Sequence, residues 1–214
     1  MCGLAGFLDT RAGQDAASME AILAGMTQTL HHRGPDDGGL WCDPASGIAL
    51  GHRRLSILDL SPLGHQPMQA ASGRYVIAYN GEIYNFQILR GELEALGHAF
   101  RGHSDTEILL AAVTQWGLED SLRRCNGMFA IALWDCQEQV LWLARDRLGE
   151  KPLYYGWLGE VLLFGSELKA LRAYPGFPAE IDRDALAQYL RHGDVPAPRS
   201  IYQGIHKLPA GHLA

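Results

Sequence analysis

The sequence predicts an α+β fold, with antiparallel sheets and helices packed outside them. Three observations lead there. Strand-like runs come first, helices follow and further strands return, without the repeated strand–helix–strand units of a parallel sheet. Four short apolar runs between residues 127 and 164, separated by turns, look like an antiparallel meander. Those runs are apolar on both faces, so each face needs a cover, as in two stacked sheets between helix layers.

In chain order, residues 3–8 are an apolar run ending at Asp9 and suit a buried strand. Met19, Ile22, Leu23, Met26 and Leu30 share one helical face, with Asp15 placed to cap the N-terminus and Arg33-Gly34-Pro35 to stop the helix. Residues 48–58 read as a strand around a polar centre, Gly51-His52-Arg53-Arg54, and residues 74–79 as a second strand that Asn80-Gly81 interrupts. Asn85 is expected to cap a helix whose Phe86, Leu89, Leu93 and Leu96 share a face, closed by Gly97. Ser104-Asp105-Thr106-Glu107 has the form of a capping box ahead of the apolar run at 108–113 and Trp116. The four strand runs are 128–134, 140–144, 153–157 and 161–164, and short helices are expected near 167–171 and from Asp182, the latter bearing Leu186, Tyr189 and Leu190. Residues 195–199 read as loop or linker. The end of the sequence carries no terminal signal and reads as a chain cut before a further segment. The expected division is one domain over 1–195 and a connecting segment over 196–214.

A chain of 214 residues is long enough for one large domain with a sizeable core. With 47% apolar and 20% charged residues it reads as soluble and globular. A net charge of -6 and the lack of any basic run argue against nucleic acid as a partner. No stretch approaches the ~20 apolar residues of a membrane span. Asp9, Arg11 and Asp15 arrive before any apolar run of signal-peptide length, so no membrane is expected as partner and the cytoplasm is the expected compartment. Cys2, Cys42, Cys125 and Cys136 form no C-x-x-C pair, and the histidines lack ligand spacing, so neither a disulfide framework nor a metal is expected.

Cys2 stands apart by position. Methionine ahead of a small residue is usually trimmed, which would give Cys2 a thiol and a free α-amine on one carbon. The amine has a reference pKa of ~7.7–8.0 and the thiol ~8.5, both close to neutral pH. The amine can take the thiol proton, the thiolate can attack a carbonyl, and the amine can return the proton to the leaving group. Such a route needs an oxyanion hole and charged groups that hold the substrate. Asn80-Gly81 reads either as a hairpin turn or as two donors, the side-chain amide and the glycine N–H, aimed at one oxygen. Read by themselves, Arg53 and Arg54 are a solvated strand pair and Asp105 is a favourable charge at a helix N-terminus.

Five stretches together resemble the glutaminase half of the glutamine-dependent asparagine synthetases: MCGLAGF at the start, HHRGPDD at 31–37, GHRRLSILDL at 51–60, YNGEIYNF at 79–86 and ARDRLGEKPLYYG at 144–156. GHSDTE at 102–107, NGMFAIALWD at 126–135 and FGSELKAL at 164–171 add weaker support. The resemblance covers essentially the whole chain in order, and the ordered set is far more specific than any one motif. It implies a class II glutamine amidotransferase, an N-terminal nucleophile hydrolase with a four-layer α-β-β-α sandwich, that converts glutamine to glutamate and ammonia through a Cys2 thioester. Matched by position, it implies Asn80 and Gly81 as the oxyanion hole, Glu82 beside the substrate, Arg54 at the glutamine α-carboxylate, backbone from Leu55, Ile57 and Leu58 lining the pocket, and Asp105 at the α-ammonium. Arg33, Pro35 and Asp36 would form a loop beside the site or, equally, a helix-ending turn with an ion pair.

The sequence also departs from complete relatives. Nothing resembles the phosphate loop of the family's synthetase domain, so this chain alone should hydrolyse glutamine without forming a new C–N bond. The resemblance implies no cofactor for this domain, ATP and Mg for an absent C-terminal synthetase domain, that domain and L-glutamine as partners, and a homodimer as an expected assembly. The ammonia acceptor, aspartate or another carboxylate, stays open. Glu150 stands where an aliphatic or small residue is common. The alternatives are the glutaminase of another amidotransferase, acting on a sugar, peptide or polymer, and a non-catalytic regulatory module on the same scaffold.

Overall fold

Side chains on a strand point alternately to its two faces, and here that alternation sorts the apolar residues into three layers. The computed structural model describes residues 1–214 apart from Ala12, Gln14 and Leu58. The chain runs through β1 (Gly3–Asp9), α1 (Ala16–Gln28), β2 (Asp37–Asp43), β3 (Ile48–Arg54), β4 (Met68–Gln69) and β5 (Tyr75–Ile83). It continues through α2 (Phe86–Ala95), α3 (Asp105–Trp116), α4 (Leu118–Arg124), β6 (Gly127–Asp135), β7 (Val140–Arg145), β8 (Tyr154–Leu158) and β9 (Val161–Gly165). It closes with α5 (Leu168–Arg172), α6 (Arg183–His192) and β10 (Ile205–Lys207). One sheet has the order β10-β8-β9-β1-β3-β2 and the other β4-β5-β6-β7, with antiparallel pairing throughout.

Leu4 of β1, Ile48 and Leu50 of β3, Val76 and Ala78 of β5, Ala130, Ala132 and Trp134 of β6, and Phe164 of β9 meet between the two sheets. Residues of opposite parity face outward. Ala5, Phe7 and Ala49 pack on Met19, Leu23 and Met26 of α1, while Ile77, Tyr79, Ile131 and Leu133 pack on Leu89, Leu93, Ile108 and Leu109 of α2 and α3. Two sheets with helices on both outer faces give the α-β-β-α sandwich, and the α+β expectation holds.

Several element readings hold because they rest on local chemistry. The Asp15 carboxylate accepts from the Ser18 N–H at 2.9 Å and caps α1. Gly97 follows α2 with φ +94°, a conformation that only glycine adopts freely. Ser104 caps α3 by accepting from the Glu107 N–H at 3.3 Å, but Glu107 turns to the N–H groups of Arg101 and Gly102 rather than completing the box. Asn85 precedes α2 without a side-chain cap, because its amide bridges the Arg124 carbonyl and the Asn126 N–H.

Other readings change. Asn80-Gly81 does not interrupt its strand: β5 runs on to Ile83, with Asn80 opposite Ala130 and Gly81 opposite Phe129, so the hairpin turn is excluded. The strand expected over 48–58 ends at Arg54. The four runs after residue 127 are two hairpins in different sheets, β6-β7 in one and β8-β9 in the other, rather than one meander. Leu186, Tyr189 and Leu190 of α6 are largely exposed. The segment read as a linker after Val195 is knitted into the fold. β10 extends the larger sheet, Leu208 is buried between the sheets, and Ala214 exchanges backbone hydrogen bonds with Leu143 of β7 at 2.8 and 2.9 Å.

One polar residue bridges the layers. His52 of β3 is fully buried and its Nε2 donates to the Tyr79 carbonyl of β5 at 2.9 Å, while Nδ1 has no partner among the described residues. Burial holds its pKa down to about 4 against an ordinary 6.5. The unfolded chain therefore takes up this proton between pH 6.5 and about 4 while the folded chain does not. Stability should fall by roughly 3 kcal/mol across that window as pH drops, and be flat with respect to this group above it. His52→Gln should flatten that part of the stability–pH curve measured by urea unfolding; an unchanged curve would contradict the assignment. Leu208→Ala should cost about 2–5 kcal/mol in the same assay, against under 1 kcal/mol for a residue on a free linker.

Candidate active site

At one end of the inter-sheet layer the apolar residues give way to polar ones of the same parity. Cys2 extends the face of β1 that carries Leu4, His52 and Arg54 extend the face of β3 that carries Leu50, and Asn80 extends the face of β5 that carries Ala78. Cys2, Arg54, Leu55, Ile57, Asn80, Gly81, Glu82 and Asp105 line one cleft there. Leu58 lies outside the described residues. The structure thus brings every other site residue expected from the sequence to one place.

Cys2 is held by its neighbours on both sides. Its Sγ lies 3.4 Å from the Leu55 N–H and 3.6 Å from the Leu55 carbonyl, so the residue after β3 meets the thiol instead of a partner strand. Its carbonyl accepts from Arg33 Nε at 2.8 Å, and Arg33 in turn pairs with Glu167 at 2.8 Å. The two readings of the HRGPD stretch are therefore both realised, an ion pair and a contact with the nucleophile's backbone. Asp36 accepts from the Ser56 N–H at 2.8 Å and ties the same stretch to the loop after β3. Burial pushes the Cys2 thiol pKa up, against the Leu55 N–H, the chain's terminal charge and Arg54, which lower it. A thiol so placed needs a base.

Asn80 is 1% exposed and its Nδ2 is a buried donor with no partner among the described residues. Burying an unpaired amide N–H costs on the order of 1–3 kcal/mol, which marks it as reserved for a group that arrives later. Gly81 supplies the second donor by strand geometry. N–H groups along a strand alternate in direction. The Tyr79 N–H is taken by Gln66 Oε1 at 2.7 Å and the Ile83 N–H by Asp105 Oδ2 at 3.0 Å, so the Gly81 N–H between them faces the same open edge. No side chain fits here, because a Cβ on Gly81 would run into the Met128 carbonyl oxygen and the Phe129 Cα.

Parity separates the two arginines. Arg53 points to the α1 side and meets Gln28, whereas Arg54 points into the cleft, 7% exposed, with its guanidinium on the carbonyls of Asp59 and Ser61. Asp59 is pinned by Ser61 and His103, and hydrogen bonding from the Ser61 side chain, then from the His103 and Ser61 N–H groups, brings its pKa down to about 2. Asp105, the first residue of α3, accepts from the Tyr79 hydroxyl at 2.7 Å as well as from Ile83; burial raises its pKa while these donors oppose the rise. Arg54 and Asp105 therefore line the same cleft as Cys2, Asn80 and Gly81, one cation and one anion beside a thiol and two N–H donors. The sequence reading missed Gln66, Tyr79, Thr106, Met128 and Lys151, which complete the walls. Tyr79, Thr106, Met128 and Lys151 lie inside the stretches that carry the resemblance and could have been found there, whereas Gln66 lies outside them and only long-range packing brings it to the cleft. Among the described residues no group of His, Cys, Asp or Glu is arranged to hold a metal, and no helix is long and apolar enough to cross a membrane.

This arrangement agrees with what the chain is similar to. Residues 1–214 match the family described as a glutamine amidotransferase domain. Asparagine synthetase (glutamine-hydrolysing) 3 of Bacillus subtilis strain 168 is 40% identical, over 99% of this chain and 34% of that protein. The amidase chry2 of Gibberella zeae is 34% identical, over 99% of this chain and 32% of its own length. The chain thus spans about a third of the length of these curated relatives. The fold matches that of the glutamine phosphoribosylpyrophosphate amidotransferase of B. subtilis with a TM-score of 0.68 at 22% identity, over 81% of this chain and 43% of that one. With the match running from the first residue to the last, the chain belongs to the glutamine amidotransferase domain family and is homologous to the glutaminase part of the asparagine synthetases.

Proposed function

We propose that this chain hydrolyses L-glutamine at Cys2 and supplies the ammonia to an amide-forming synthetase domain beyond it. After removal of Met1, the Cys2 α-amine takes the thiol proton and Sγ attacks the side-chain amide carbon of glutamine. The oxygen gains negative charge between Asn80 Nδ2 and the Gly81 N–H. The C–N bond then breaks, the amine's proton goes to the leaving nitrogen, ammonia departs and a γ-glutamyl thioester remains. Water adds to the thioester through a second oxyanion, glutamate leaves and the thiol is restored. Arg54 receives the α-carboxylate, Asp105 holds the α-ammonium with Glu82 beside the substrate, and Leu55 and Ile57 border the glutamine. What supports this reading most is the buried, unpaired Asn80 amide facing the same cleft as Cys2.

The name asparagine synthetase on several relatives supports an amide-forming partner domain. Its acceptor would be aspartate or another carboxylate, and ATP and Mg would belong to that domain, since no step proposed for this chain uses either. The reading carries with it a cytoplasmic setting and pairing of two copies through this domain.

Cys2→Ala should abolish both ammonia release from glutamine and labelling by a glutamine-like diazo-ketone, followed by intact mass on chain lacking Met1. Ammonia release that survives the substitution ends the proposal. Asn80→Ala should lower kcat by about 10²–10³ while changing KM little, because the lost donor serves the transition state. A kcat within about threefold of the parent would remove Asn80 from the oxyanion hole.

A further inference from the structure

The proposed reaction leaves one cation of the cleft without a task. Lys151 is 5% exposed and its backbone is fixed, the N–H on Asp146 Oδ2 at 3.0 Å and the carbonyl on Arg145 Nε at 2.7 Å. The Asp146 carboxylate also accepts from Phe129, Leu148 and Glu150, so one buried acid shapes the turn that presents Lys151. The side chain reaches the cleft that Cys2 and Asn80 line. Among the described residues its Nζ has one hydrogen-bonding contact, the Met1 Sδ at 3.5 Å, and forms no ion pair.

That contact vanishes when Met1 is removed. Within a methionine the sulfur lies at most about 6 Å from the nitrogen of the next residue, so Lys151 faces the region where the new α-amine projects. We propose that Lys151 is a positioning residue for the catalytic base, its ammonium repelling the proton from the Cys2 α-amine and keeping that amine free to accept the thiol proton. The inference rests on the reaction proposed above. The two spans together bound the separation at about 10 Å, and two like charges that close in a partly buried site shift a titration by about one pH unit. The other charged groups around this amine are accounted for. Arg33 bonds the Cys2 carbonyl and has its charge matched by Glu167, and Arg54 sits on the Asp59 and Ser61 carbonyls. Asp59 is bonded to Ser61 and His103 N–H groups, and Asp105 to Tyr79 and Ile83. Asp105 and Glu82 hold the proton on; Lys151 and Arg54 drive it off.

A lowered amine pKa extends activity to lower pH, so removing the cation must move the acid limb upward. The test uses chain free of Met1, verified by intact mass, with kcat/KM for ammonia release and the rate of diazo-ketone labelling followed from about pH 5 to 9. Lys151→Gln and Lys151→Met, the latter retaining the apolar stem, should shift the acid limb up by about one pH unit in both readouts. Lys151→Arg should keep the parent's limb. A limb that stays in place in the neutral variants, or that moves as far in Lys151→Arg, overturns the proposal. Parent chain that labels at no pH overturns the cysteine reading itself, and this inference with it.

Discussion

The site depends on the register of two sheets that share no hydrogen-bonded strand pair. Cys2 directly precedes a strand of one sheet, and Asn80 and Gly81, proposed here as the oxyanion donors, belong to a strand of the other. What sets their relation is the apolar layer between, where side chains such as Leu4, Leu50, Ala78, Ala130 and Phe164 interdigitate with little or no solvent exposure. Protein interiors pack densely enough that such a layer has few alternative registers. The His52–Tyr79 bond adds one directional contact next to Asn80, at the point where packing gives way to chemistry. A slip of one residue in β5 would send the Asn80 amide to the helix side and turn the Tyr79 side chain to the face between the sheets.

The same arrangement explains the electrostatics. The cleft is dry enough to raise the pKa of both the Cys2 thiol and the Asp105 carboxyl. Burial of this kind penalises charge at rest and strengthens it when partners arrive. The fixed polar groups are held mostly by backbone: Leu55 at the sulfur, Asp59 and Ser61 at Arg54, Ile83 at Asp105. They are oriented before any substrate is bound, so little reorganisation is left to the reaction itself.

How much of this could be read from the sequence depended on range. Caps and helix ends were legible at Asp15, Gly97 and Ser104, because a cap is settled within four residues. Strand partners were not, since β6-β7 and β8-β9 look alike locally and differ only in what they pack against. β2 carries glycines and aspartates without alternation, and β10 has only three residues, so neither announced itself. Asn80-Gly81 is a strong turn signal that pairing with β6 overrides. The site residues were named by resemblance, yet the choice of Arg54 over Arg53 has a physical reason that strand parity supplies. Gln66 became visible only once the chain was folded.

Trp134 lies in that shared layer at 1% exposure with Trp41 packed partly buried against it, while Trp142 and Trp157 are 36% and 55% exposed. An indole in such a place emits at shorter wavelength than one in water. The blue edge of the intrinsic fluorescence therefore reports whether the two sheets remain apposed, and with them the sulfur and the amide that depend on their spacing.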